Sequence, residues 1–193
     1  MRIFLAGASG VLGVRLVPLF VEAGHEVAAM TRSPEKADAL QQLGATPVVC
    51  DVFDASAVRR AVIGFGADAI VNELTDLPDD RAELARGTGL NARIRREGNG
   101  NLLAAARALG GIRYVAQSVA WELTGDGGAA VSELESTTLA AGGVVLRYGQ
   151  FYGPGTYWED ELPPMPRVHI DEAARQTVPA LDAVSGVILI AEE

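Results

Sequence analysis

Ile3-Phe4-Leu5-Ala6-Gly7-Ala8-Ser9-Gly10-Val11-Leu12-Gly13 is the stretch that decides the fold. An apolar run of strand length ends in a glycine-spaced turn, and Leu12, Leu16, Leu19 and Phe20 follow at helical spacing. Gly7, Gly10 and Gly13 form the pattern G-x-x-G-x-x-G. The first glycine permits a tight turn, the second lets backbone approach a phosphate, and the third lets the helix pack close to the strand. The helix start adds partial positive charge and unpaired N–H donors. A glycine motif alone is weak evidence, but between a strand and a helix it points to a dinucleotide pyrophosphate. Gly7, Ser9, Gly10, Val11, Leu12 and Gly13 are therefore expected to hold one.

Outward from this turn, strands and helices alternate, the pattern of a parallel sheet covered on both faces. Strands are expected at about 2–6, 26–30, 46–50, 69–72, 113–117, 144–146 and 187–190. Ala23-Gly24 ends the first helix, and Pro18 inside it removes a hydrogen bond and predicts a kink. Ser33-Pro34 reads as an N-cap with proline at the first helical position, opening a helix to Leu43. Asp54 caps a helix through Val62. Residues 80–109 form one long helix or two, weakened by Gly87, Gly89, Gly98 and Gly100; further helices cover about 129–141 and 171–181. The fold class is α/β, a doubly wound parallel sheet of the Rossmann type, and at 193 residues one domain over 1–193 is expected.

Composition narrows the function. The formal charge of −9 and a pI near 4.7 argue against nucleic acid or an anionic membrane as partner. Cys50 is the sole cysteine, which excludes an internal disulfide and a thiolate zinc cage. No apolar stretch has the length of a membrane span, and Met1-Arg2 leads straight into a strand rather than a signal peptide. A cytoplasmic protein with a small-molecule substrate is the expectation.

The end of the second strand should meet the adenosine ribose, where an acidic residue would favour NAD. This chain has Met30-Thr31-Arg32-Ser33 instead. Arg32 can grip a 2′-phosphate by paired hydrogen bonds, with Thr31 adding another. The reading is NADP, with NAD possible, and its alternative is a solvated surface arginine. Asp51 is placed to accept from the adenine amino group beside Val52, or else caps the Asp51–Asp54 turn. Asn72, Leu74 and Gln117 lie where open α/β sheets bind ligands, at the carboxyl ends of their strands.

With these residues in hand, the chain resembles the short-chain dehydrogenase/reductase superfamily, in its extended or atypical NAD-dependent epimerase/dehydratase branch. The resemblance rests on the glycine turn, Cys50-Asp51-Val52, Gly98-Asn99-Gly100-Asn101-Leu102-Leu103, Tyr114-Val115-Ala116-Gln117-Ser118, Leu146 to Gly155, and Val168-His169-Ile170-Asp171. It implies catalysis by a serine after the fifth strand and a Tyr-x-x-x-Lys pair on the next helix. Ser118 matches the serine. Counting back from Glu135, the lysine position falls on Val131 and the tyrosine position on Gly127. Lys36 is the only lysine in the chain, so the usual proton-transfer pair is absent.

Tyr148, Tyr152, Trp121 and His169 are the candidate replacements, against core or structural roles for each. Glu73 either lines the nicotinamide side or points to solvent. The substrate lobe implied by the resemblance is much reduced, to about 148–193. Either it is vestigial, or Tyr157, Trp158, Glu159 and Asp160 make a small lid, and the substrate site should be open or shallow. Three functions follow: an NADP-dependent oxidoreductase on a small carbonyl or hydroxyl metabolite, a redox-silent NADP-binding module, or a non-redox isomerase or cyclase. The resemblance also makes a homodimer through the 80–109 and 129–141 helices plausible.

Overall fold

In a computed structural model, which describes residues 1–78 and 80–192 with 85–87 as helix backbone only, the expected alternation folds into a seven-stranded parallel sheet. The strands are β1 (Arg2–Ala6), β2 (Glu26–Thr31), β3 (Thr46–Val49), β4 (Ala69–Asn72), β5 (Arg113–Val119) and β6 (Val144–Tyr148), then β7 (Gln150–Tyr152), β8 (Arg167–His169) and β9 (Gly186–Ile190). The sheet order is β3-β2-β1-β4-β5-β6-β9. Ala6 lies level with both Met30 and Asn72, so the carboxyl ends of the central strands open on one edge.

The helices are α1 (Gly13–Glu22), α2 (Ala37–Gln42), α3 (Ala55–Phe65), α4 (Leu84–Arg93), α5 (Asn99–Ala108), α6 (Gly125–Ala140) and α7 (Ile170–Thr177). One face of the sheet packs Ile3, Leu5, Val71 and Leu146 against Leu16 and Phe20 of α1 and Ala173 of α7. The other packs Phe4, Ile70 and Ala116 against Val58 and Val62 of α3, Leu102 of α5 and Leu134 of α6. Both faces of β4 are covered, which is why its residues Ala69–Asn72 are all buried. Among the described residues no helix is long and apolar enough to cross a membrane.

Several local expectations change. α1 continues through Pro18 as one helix. Ser33 makes no side-chain cap; a 3-10 turn, Pro34–Lys36, precedes α2, and the Ser33 amide donates to Thr31 Oγ1 at 3.2 Å. Asp54 does cap α3, accepting from the Ala57 amide at 2.9 Å. Residues 81–108 are neither one helix nor two simple ones: a 3-10 turn (Arg81–Glu83) leads into α4, and a π turn (Ile94–Gly98) joins α4 to α5. The proline-rich segment after β6 hides a second, two-stranded parallel sheet of β7 and β8, strands too short to show periodicity.

Thr138 is fully buried in α6, and its hydroxyl has no hydrogen-bond partner among the described residues. An unmatched buried hydroxyl costs stability, so the isosteric Thr138→Val should raise stability by about 1 kcal/mol. Thermal unfolding should then move up by about 2–4 °C; an unchanged or lower midpoint would mean that the hydroxyl is satisfied in solution.

Candidate functional site

The carboxyl edge of the sheet carries a cleft of about 1160 Å³. Gly7, Ser9, Gly10 and Val11 form one end of its wall; Thr31, Arg32, Asp51 and Val52 lie beside them, and Leu74, Gln117, Ser118 and Tyr148 extend it. Tyr157 and Trp158, on the loop between β7 and β8, also line the cleft, and Arg81 lies 3.4 Å over the Trp158 ring. The Tyr157 hydroxyl donates to the Pro78 carbonyl. Glu159 and Asp160, the other two residues of the expected lid, do not line the cleft.

The turn after β1 is built for close approach. Gly7 has φ +86°, and a Cβ there would stand 2.7 Å from the Glu73 carbonyl oxygen. A Cβ at Gly13 would overlap the Gly7 carbonyl oxygen and stand 2.7 Å from backbone atoms of Ala8. These are cradles that a side chain would fill, which suits main-chain recognition of a diphosphate. Leu12 and Gly13 serve this turn from beneath: both are buried, and neither lines the cleft.

At the β2 end, Thr31 Oγ1 lies 2.9 Å from Ser9 Oγ, tying the two loops together. Arg32 Nη2 donates to Asp76 Oδ1 at 3.0 Å, and the arginine side chain is two-thirds exposed. Asp51 Oδ1 accepts from the Phe53 amide at 2.9 Å, so part of its role is the turn before α3.

Two expected residues are placed differently, and a third is placed as expected but engaged otherwise. Asn72 turns away from the cleft: its amide donates to Asn99 Oδ1 at 3.1 Å and its oxygen accepts from the Leu74 amide at 3.2 Å. It is a buried strut, because side chains alternate across the sheet and its own points towards α5. His169 caps α7, accepting from the Asp171 amide at 3.3 Å, and its ring meets Tyr152 edge-on. It does not line the cleft and is not a candidate acid. Ser118 does line the cleft, but its hydroxyl donates to Glu135 Oε1 at 2.6 Å. Arg147 holds Glu135 at 2.6 and 2.8 Å and keeps its carboxyl below the ordinary range, so a ligand carbonyl would have to compete with a carboxylate for the Ser118 proton.

Glu73 points inward. It is 9% exposed and lines the cleft directly after β4. Its Oε1 lies 3.1 Å from the Tyr148 hydroxyl, which lies 2.6 Å from Thr177 Oγ1, and Thr177 in turn donates to the Ala173 carbonyl at 2.7 Å. Tyr148 donates to Glu73 Oε1, and in its contact with Thr177 either hydroxyl can be the donor. Burial pushes the Glu73 carboxyl up to about 8, against a smaller lowering by Tyr148. Burial and Glu73 both push the Tyr148 phenol well above its ordinary range, so Tyr148 positions a proton rather than releasing one.

Residues 7–138 match the family described as NAD(P)H-binding, and the chain belongs to it. The chain is 35% identical over 180 residues to the 3-diazoavenalumate denitrifying reductase of a Streptomyces species, covering 81% of this chain and 58% of that one. It is also 38% identical over 72 residues to the uncharacterized sugar epimerase YhfK of Bacillus subtilis, over 37% of this chain and 33% of that one. The chain thus spans less than two thirds of the length of these relatives. In fold it is similar to the UDP-glucose 4-epimerase of Thermus thermophilus solved with NAD, with a TM-score of 0.80 at 18% identity over 99% of this chain and 78% of that one. The Thermotoga maritima UDP-glucose 4-epimerase gives a TM-score of 0.81 at 17% identity, over 99% of this chain and 77% of that one.

Proposed function

We propose that this chain is an NADP(H)-dependent oxidoreductase acting on a small carbonyl or hydroxyl compound, with Glu73 as its proton donor. The observation that carries the reading is that the glycine turn and a buried carboxyl face one continuous cleft. When bound, the reduced coenzyme supplies hydride. Glu73 holds the proton that a substrate oxygen needs, and Tyr148 with Thr177 fixes the carboxyl from behind. Tyr157 and Trp158 add aromatic surface to the cleft wall on the side of the loop between β7 and β8. The similarity to a reductase supports the reaction class.

Arg32 supports NADP over NAD: it stands exposed just after β2, lines the cleft and is paired with Asp76. Arg32→Ala should weaken NADPH binding about tenfold to a hundredfold, the range for charge-assisted hydrogen bonds, and leave NADH binding unchanged. Calorimetric titration with both coenzymes checks this; equal effects on both would assign Arg32 to Asp76 alone. A second reading, a redox-silent coenzyme-binding module, draws on the commitment of Ser118 to Glu135. Tight NADPH binding with no oxidation by a panel of small aldehydes and ketones would favour it.

A further inference from the structure

Arg95 lies in the π turn between α4 and α5 and lines the cleft, yet no motif points to it. The one signal in the sequence is an arginine at helical spacing with Asn91, Ile94 and Gly98, on the face that should be buried. The structure buries it: Arg95 is 6% exposed. Its neighbours are neutralised, Arg93 by Glu97 and Arg96 by Asp126 and Glu133. Arg95 itself makes no hydrogen bond, ion pair or ring contact among the described residues.

A guanidinium has five donors and does not lose its charge in proteins, so burying one without an acceptor is costly. The desolvation pulls its pKa down with no opposing acid. A fold retains such a group when something outside the chain completes it, and π turns occur frequently at functional sites. The cleft wall also carries Asp126, and a smaller cavity that Arg95 borders carries Glu133, but both carboxylates are held by Arg96.

We infer that Arg95 is an anion receptor in the cleft wall, which binds an oxyanion of a ligand: a phosphate of the coenzyme or an acid group carried by the substrate. The inference rests on the reading of the cleft as a coenzyme site and adds a ligand-binding residue to it. If the substrate is the source, its class narrows to small carboxylates or phosphate esters.

Calorimetry on the full chain separates the sources. NADPH is titrated into the wild type, Arg95→Gln and Arg95→Lys; sodium phosphate and sodium benzoate are then titrated into each protein saturated with NADP⁺. Arg95→Gln should weaken one ligand about tenfold or more, with Arg95→Lys retaining part of the affinity. Loss in the first arm assigns the coenzyme phosphate; loss in the second alone assigns the substrate acid group. Wild-type affinities for every ligand in the variants overturn the inference, whereas a wild type that does not bind NADPH overturns the coenzyme reading beneath it. Thermal unfolding without ligand gives an independent readout. Arg95→Met removes an uncompensated buried charge and should raise the midpoint by a few degrees, and a lowered midpoint would show a structural arginine and overturn the inference.

Discussion

Gly13→Ala is expected to abolish NADPH binding and to lower the unfolding midpoint sharply, although it adds one methyl group. The added carbon would overlap the Gly7 carbonyl oxygen and press on the Ala8 backbone at 2.7 Å. Backbone in a tight turn cannot swing aside as a side-chain tip can, so α1 must retreat from β1. That retreat drags Leu16, Val17 and Phe20, all fully buried, out of their packing with the sheet. Overpacking of this kind costs about 1–3 kcal/mol, or roughly 2–4 °C per kcal/mol in a chain of this size. The N–H groups of the turn and the start of α1 move with the helix, and main-chain recognition of a diphosphate does not survive such a shift. Gly100→Ala is the control, since a Cβ there meets nothing within 4 Å in α5 and should be neutral or mildly stabilising. Calorimetry with NADPH and scanning calorimetry read both effects; a Gly13→Ala protein that binds like the wild type would remove close packing as the basis of the turn.

Glu73→Gln is expected to leave NADPH affinity intact and to lower turnover of small carbonyl compounds about a hundredfold or more, the usual contribution of a positioned general acid. Glutamine keeps the size and its side-chain oxygen can still accept from Tyr148, but it has no acidic proton to give. The wild-type rate should hold while Glu73 is protonated and fall as pH rises through about 8. Tyr148 is the titratable group in contact with it, and its phenol stays protonated across that range.

Stability should follow the same group. A carboxyl whose folded-state pKa is raised favours folding fully below its unfolded pKa, near 4.5, and that contribution is lost as pH rises to about 8. At about 1.4 kcal/mol per pH unit the wild type should lose several kcal/mol over this window. Glu73→Gln should flatten that part of the profile. Denaturant unfolding at pH 5 and pH 8 measures it, and parallel profiles for the two proteins would mean that Glu73 is ionised in the folded state.

The glycine turn and the order of the main-sheet strands were legible in the sequence because each rests on local chemistry: glycine geometry, hydrophobic period, capping. Asp54 is an example, since a cap is decided within four residues. The site was less legible because its partners come from distant segments. Nothing near Glu73 in sequence announces that Tyr148, 75 residues away, will hold its carboxyl. Asn72 and Glu73 are neighbours whose side chains take opposite faces of the sheet, so the useful residue is the one a fold-level expectation placed second. Likewise Ser118 sits where expected, but its proton is claimed by a helix residue 17 positions on.

The π turn at Ile94–Gly98 carries one residue more than an α-helical path would need. Losing a single codon there would let the winding close into an ordinary α-helical turn with α4 and α5 near their present phase, whereas the same loss in a regular helix would rotate one part against the other by about 100°. Asn91, whose side-chain oxygen accepts from the Asp76 amide at 3.1 Å, would keep its hold on the loop bearing the Arg32 counter-charge. One in-frame deletion, without any substitution, would thus remove the widened seat of Arg95 and spare the rest of that wall.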